Sequence, residues 1–224
     1  MNSFANDIIH FYKSIQPPAK LPKAVGVLYP QQDKGVIKIV EQFYKKFYSD
    51  NHQRTLIFGI NPGRFGAGVT GINFTGPKQL KENCGIEHSL KMHSELSAEF
   101  IYEAIEKYGG VKKFYNDFFI TAVSPLGYIK DGINLNYYDD KKLQEAVTPF
   151  VVDCVEKQLK WNVNRAKCIC IGGEKNYKYF LKLNEKYNWF GQIFPLPHPR
   201  FIMQYRRKTK ENYLSEYLDT FDKV

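Results

Sequence analysis

Four short, apolar, β-rich runs recur along the chain, separated by longer segments with helical patterning, and this alternation restricts the fold more than any other feature. The runs are Thr55-Leu-Ile-Phe-Gly59, 117–124, 167–171 and 190–194, each stopped by glycine or proline. Helices are expected over 3–15, near 35–48, over 93–108 from a start near Ser94 to Gly109-Gly110, over 140–160 as the longest, over 174–187 and over 207–221. Strands alternating with helices imply a parallel sheet covered on both faces. The expected class is therefore α/β, a three-layer α/β/α sandwich around a central four-stranded, mostly parallel sheet. At 224 residues the chain suits one domain, with 1–24 as an N-terminal helix and a connector broken by Pro17, Pro18 and Pro22.

In such a sheet the loops leaving the C-terminal strand ends converge on one edge, where ligands bind. The loops after 59, 124, 172 and 194 would bring together Asn61, Phe65 and Phe74; Ser124 and Tyr128; Lys175 and Asn176; and His198 and Arg200. The resulting cleft would be polar at its base, aromatic on its walls and basic at its rim. That combination suits a nucleobase carried on a phosphate backbone. The net charge of +9 agrees with a polyanionic partner, although it also suits a merely soluble basic protein.

Several other chemistries find no support. Cys84, Cys154, Cys168 and Cys170 make no C-x-x-C pair and no Cys/His zinc spacing, and are read as reduced core thiols. Gly66-Ala-Gly-Val-Thr-Gly71 formally matches a dinucleotide fingerprint, but it lies well past the strand end, and 72–77 does not start a helix cleanly. No cofactor and no metal are expected. The N-terminal residues lack a signal-peptide pattern and no window is apolar enough to span a membrane, so a cytoplasmic protein, nucleoid-associated in a bacterium, is expected.

Gly59-Ile-Asn-Pro-Gly-Arg-Phe-Gly66, with Thr70-Gly71 and Phe74, and His198-Pro199 far downstream, resembles the uracil-DNA glycosylase superfamily, and most closely its single-strand-selective monofunctional branch. Weaker similarities lie in Val25-Gly-Val-Leu-Tyr-Pro30, Ser124-Pro-Leu126 and Gly132-Ile-Asn-Leu135, so the resemblance covers about 25–205. It implies an enzyme that flips uracil or a related damaged base into a pocket and hydrolyses its N-glycosidic bond in base excision repair. His198 would then hydrogen-bond the departing base, Asn61 would position the attacking water, Phe74 would stack on the base, and main-chain donors from Ile60 to Gly63 would help to hold it. Phe65 would form a wall.

The resemblance also implies DNA contacts. A wedge would come from Arg200, Phe201 and Ile202, with Arg206, Arg207, Lys208 and Lys210 on phosphates. The ordinary alternative is a solvated helix N-terminus, but cations there oppose the helix dipole. Lys175 and Asn176 form a weaker phosphate-site candidate. Where the related branch carries an asparagine that reads the pyrimidine edge, this chain has Ala122, which leaves base reading to main-chain groups, Ser124, Asn134 or Asn136. Uracil is the first substrate expected, with xanthine, hypoxanthine or an oxidised pyrimidine as alternatives. The competing functional class is a catalytically silent nucleic-acid-binding module on the same fold. A monomer acting on single- or double-stranded DNA is expected.

Overall fold

The computed structural model describes residues 3–224; Met1 and Asn2, where the segment read as lacking a signal peptide begins, lie outside them. In chain order the elements are α1 (Phe4–Ser14), β1 (Val25–Leu28), α2 (Lys34–Phe47), β2 (Thr55–Gly59), α3 (Ala67–Thr70), α4 (Pro77–Glu82), α5 (Leu96–Tyr108), α6 (Gly110–Asp117), β3 (Phe118–Ala122), β4 (Gly127–Lys130), β5 (Ile133–Leu135), α7 (Lys141–Gln158), β6 (Lys167–Ile171), α8 (Gly173–Tyr187), β7 (Gln192–Leu196), α9 (Pro199–Tyr205) and α10 (Lys210–Lys223). The central sheet runs β3-β2-β6-β7, with all three strand pairs parallel. Every residue of β2 and β3 is buried, as continuous apolar runs between two helical layers must be. The four cysteines are buried and free, Cys168 and Cys170 on β6 among them.

The strand order places the chain reversal beside the site. From β2 the chain moves outward to β3, then crosses back over β2 to β6 and continues outward to β7. The connections therefore leave β2 and β6 in opposite directions, and a crevice opens at their C-terminal ends.

Some elements differ from expectation, each for a local reason. The fourth strand extends through Pro195 instead of stopping before it, because β7 is an edge strand with no neighbour to receive the missing N–H. Glu95, rather than Ser94, caps α5 by accepting the Ser97 and Ala98 N–H groups. The Gly109-Gly110 pair separates α5 from α6 instead of ending the helical region. The region after β2 contains α3 and α4, the latter starting on Pro77, whose fixed φ and absent N–H suit a first helical position. A second sheet, β1-β4-β5, is antiparallel and has no expected counterpart; its strands have only three or four residues, too few to show a clear period.

Candidate active site

Asn61 lies just past β2, after Ile60, and its side chain is fixed from a distant part of the chain. Its Oδ1 accepts the Tyr137 N–H at 3.1 Å, and its Nδ2 donates to the Leu135 carbonyl at 3.3 Å. The end of β5 thus sets the orientation of the amide. Oδ1 keeps a second lone pair, which a water molecule can use.

Phe74 has φ of +52°, a left-handed conformation that is costly for an aromatic residue. Hydrogen bonds on both sides hold it there. Thr70 Oγ1 donates to the Thr75 carbonyl at 2.6 Å, Thr75 Oγ1 donates to the Asn73 carbonyl at 3.2 Å, and Asn73 Nδ2 donates to Tyr12 Oη at 3.3 Å. The ring lies close over Gly59, where an added Cβ would come within 2.9 Å of Phe74 Cε2. Its centroid is 5.8 Å from that of His198, with the planes at 51°.

His198 caps α9, its Nδ1 accepting the Arg200 N–H at 3.1 Å. That bond leaves the ring proton on Nε2. Burial, and after it the nearby Arg200 charge, pulls the imidazole from its usual 6.5 down to about 4. At neutral pH His198 is therefore an uncharged ring with one N–H to offer.

Ile60, Asn61, Gly63, Phe65, Phe74, Ala122, Asn134, His198, Arg200 and Phe201 all line one cavity of about 450 Å³. The loops after β2 and β7 therefore meet on this cavity as expected, whereas Ser124, Tyr128, Lys175 and Asn176, expected from the other two loops, do not line it. Ser124 does not join it, because the side chain is fully buried, with Oγ donating to the Leu126 carbonyl and bonding Tyr128 Oη at 2.9 Å. Asn176 is likewise buried, accepting from Tyr137 Oη at 2.6 Å and donating to the Ile171 carbonyl, so it anchors the core and cannot touch DNA as placed. Lys175 is exposed but outside the cavity lining, as are Arg206, Arg207 and Lys208. Lys210 is not free for a phosphate, since its ammonium binds both Glu103 carboxylate oxygens at 2.7 Å. The expected wedge loop is the helix α9, and Arg206 is its C-terminal cap, where a cation is favoured by the dipole. The electrostatic cost inferred from sequence therefore does not apply to Arg206.

The cavity also contains residues that sequence reasoning missed: Glu95, Tyr138, Gly172, Gln204 and Tyr205. Burial pushes the Tyr138 phenol up to about 12, so it remains protonated. Glu95 was read as part of the helix expected from Ser94, whereas it is the N-cap of α5. Among the described residues, no lysine lines the cavity and no group of His, Cys, Asp and Glu side chains could hold a metal ion.

Comparison with known proteins adds to this geometry. The family model described as the uracil DNA glycosylase superfamily matches residues 45–222. Among solved structures, wild-type SMUG2 of Pedobacter heparinus is similar to this chain at 41% identity and a TM-score of 0.95, over 99% of this chain and 98% of that one. No curated protein matches the chain.

Proposed function

Because the chain belongs to the uracil DNA glycosylase superfamily and is a monofunctional DNA glycosylase acting on uracil, we propose that the cavity receives a flipped uracil or related damaged base and that Asn61 and His198 carry its release. The observation that supports this most is the placement of the Asn61 amide, the His198 ring and the Phe74 ring on one cavity. Breaking the N-glycosidic bond leaves positive charge on the sugar and negative charge on the base, so the main task is to stabilise the departing anion.

His198 suits that task as a neutral donor. Its Nε2–H would strengthen its hydrogen bond as charge grows on the base oxygen, and Nδ1 is already fixed by the Arg200 N–H. Asn61 Oδ1 would hold the water that adds to the sugar carbon. An amide orients water without taking its proton, and a strongly electrophilic sugar carbon does not need a strong base. Phe74 would stack against the flipped base. With Ala122 unable to hydrogen-bond through its side chain, base reading falls to the main chain, Asn134 and Asn136. Asn134 Oδ1 already accepts the Arg64 N–H at 3.0 Å, which leaves its Nδ2 as a donor.

The absence of lysine from the lining, among the described residues, supports base release without strand cleavage through a Schiff base. Arg200 and Phe201 at the mouth, with Arg206, Arg207 and Lys208 just outside it, would contact the strand. The proposal extends to residues 1–224 working as one domain and as a monomer, on cytoplasmic DNA or, in a bacterium, the nucleoid. No helix is long and apolar enough to cross a membrane among the described residues.

The test is a panel of single- and double-stranded oligonucleotides carrying uracil, xanthine, hypoxanthine or an oxidised pyrimidine, incubated with the protein and then treated with alkali. Alkali-labile sites, uncut before alkali, are expected with uracil. Binding without any such sites would leave only a nucleic-acid-binding module.

A further inference from the structure

The cavity mouth has two exposed aromatic groups, and each carries an arginine on its ring. On α9, Phe201 is 41% exposed and lies beside Tyr205, which is 67% exposed; the Arg206 guanidinium sits 5.2 Å from the Phe201 ring centroid. On the loop after β2, Phe65 is 46% exposed and the Arg64 guanidinium lies 4.5 Å from its centroid. Both aromatic groups line the same cavity, yet they come from elements separated by more than half the chain.

The Arg64–Phe65 pair is held in place from two directions. Arg64 Nη1 donates to the Gly132 carbonyl at the turn of the β4–β5 hairpin, and the Arg64 N–H donates to Asn134 Oδ1 at 3.0 Å. On the other side His93 Nε2 hydrogen-bonds the Phe65 carbonyl, and its ring meets the Phe65 ring edge-on at 6.4 Å. Met92 and Ile133, next in sequence to His93 and Gly132, add exposed apolar surface. A guanidinium held over a ring, hydrogen-bonded through both its head group and its main-chain N–H yet open to solvent, has already lost the freedom that binding would otherwise remove.

We infer that Arg64 and Phe65 form a second DNA-contact site, which holds the nucleotide flanking the flipped one on the same strand, on the side opposite that served by α9. The guanidinium offers a plane for a neighbouring base and spare N–H donors for its phosphate. This inference rests on the glycosylase reading for its register, since the flipped nucleotide defines the two sides. It would make the enzyme grip a single strand at both flanks without a second strand to lean on.

The experiment uses fluorescent single-stranded oligonucleotides with an abasic analogue at the 5′ end, in the middle or at the 3′ end, and measures affinity for the full-length protein, Arg64→Ala, Phe65→Ala and Arg206→Ala. Arg64→Ala and Phe65→Ala are expected to weaken binding about tenfold for strands extending to one side of the analogue and to leave strands extending only to the other side within about twofold. Arg206→Ala is expected to show the opposite preference. Equal loss on all strands, or no loss on any, overturns the inference. If Arg64→Ala fails to fold, Arg64→Lys keeps the charge, removes the plane and gives the same test. Uracil release by the unaltered protein, measured in parallel, separates the two readings: no release ends the glycosylase reading while side-dependent affinity stands, and release with side-independent affinity ends this inference alone.

Discussion

His198 shows how one backbone bond sets the chemistry of a side chain. Because its Nδ1 accepts the Arg200 N–H, the ring presents Nε2–H, and its pKa of about 4 keeps it neutral over the physiological range. Base release should therefore be flat from pH 8 down through pH 6.5, with any acid limb due to His198 lying near pH 4. A pH–rate profile that falls with a midpoint near 6.5 would assign His198 the wrong charge state. The same shift has a stability consequence. Between 6.5 and about 4 the unfolded chain binds a proton that the folded chain does not, so the contribution is complete above 6.5 and lost as pH falls. Asn61 and His198 could be placed on the cavity from sequence because each lies shortly past a strand end, whereas Phe74, which follows α3, was singled out as the stacking ring by the family resemblance. Ser124 and Asn176 were misread because the hydroxyls that bind them, Tyr128 on β4 and Tyr137 in the turn after β5, belong to a part of the chain whose packing the sequence did not reveal.

At the scale of elements, the central strands were readable because burial on both faces gives continuous apolar runs, whereas the small antiparallel sheet was not. That sheet matters because it supports the loop after β2. An added Cβ on Gly68 of α3 would meet the Gly63 carbonyl at 2.6 Å as well as Leu28 of β1. Gly68→Ala should therefore destabilise by about 1–3 kcal/mol, the usual cost of overpacking. For a chain of this size that is a melting temperature lowered by about 2–4 °C per kcal/mol. An unchanged melting temperature would show that the loop is not wedged against the small sheet. Gly59→Ala should act more on rate than on stability, since the added methyl meets the movable edge of the Phe74 ring. Thermal melts paired with base-release rates for both variants distinguish the two effects.

For the whole molecule, the α/β class and the convergence of the loops followed from element order, while the identity of the basic surface did not. Net charge pointed to a polyanion, but it could not say that Lys210 is held by Glu103 while Arg206, Arg207 and Lys208 stay exposed. Replacing both Arg206 and Arg207 by alanine should weaken DNA binding and lower the slope of log affinity against log salt by about 1 for each phosphate that is no longer neutralised. An unaltered slope would mean that neither arginine meets a phosphate. The same titration on a uracil-free strand should show a similar weakening, because phosphate contacts carry no base information.

Single-turnover release from a uracil-containing strand by His198→Ala, measured alongside its DNA affinity, tests most directly whether His198 acts on the base bound in this cavity. Release should slow by about 100- to 1000-fold, as expected for the loss of one donor to a developing anion, with affinity nearly unchanged. Undiminished release would show that the imidazole takes no part in the chemistry, contradicting the role given to the cavity.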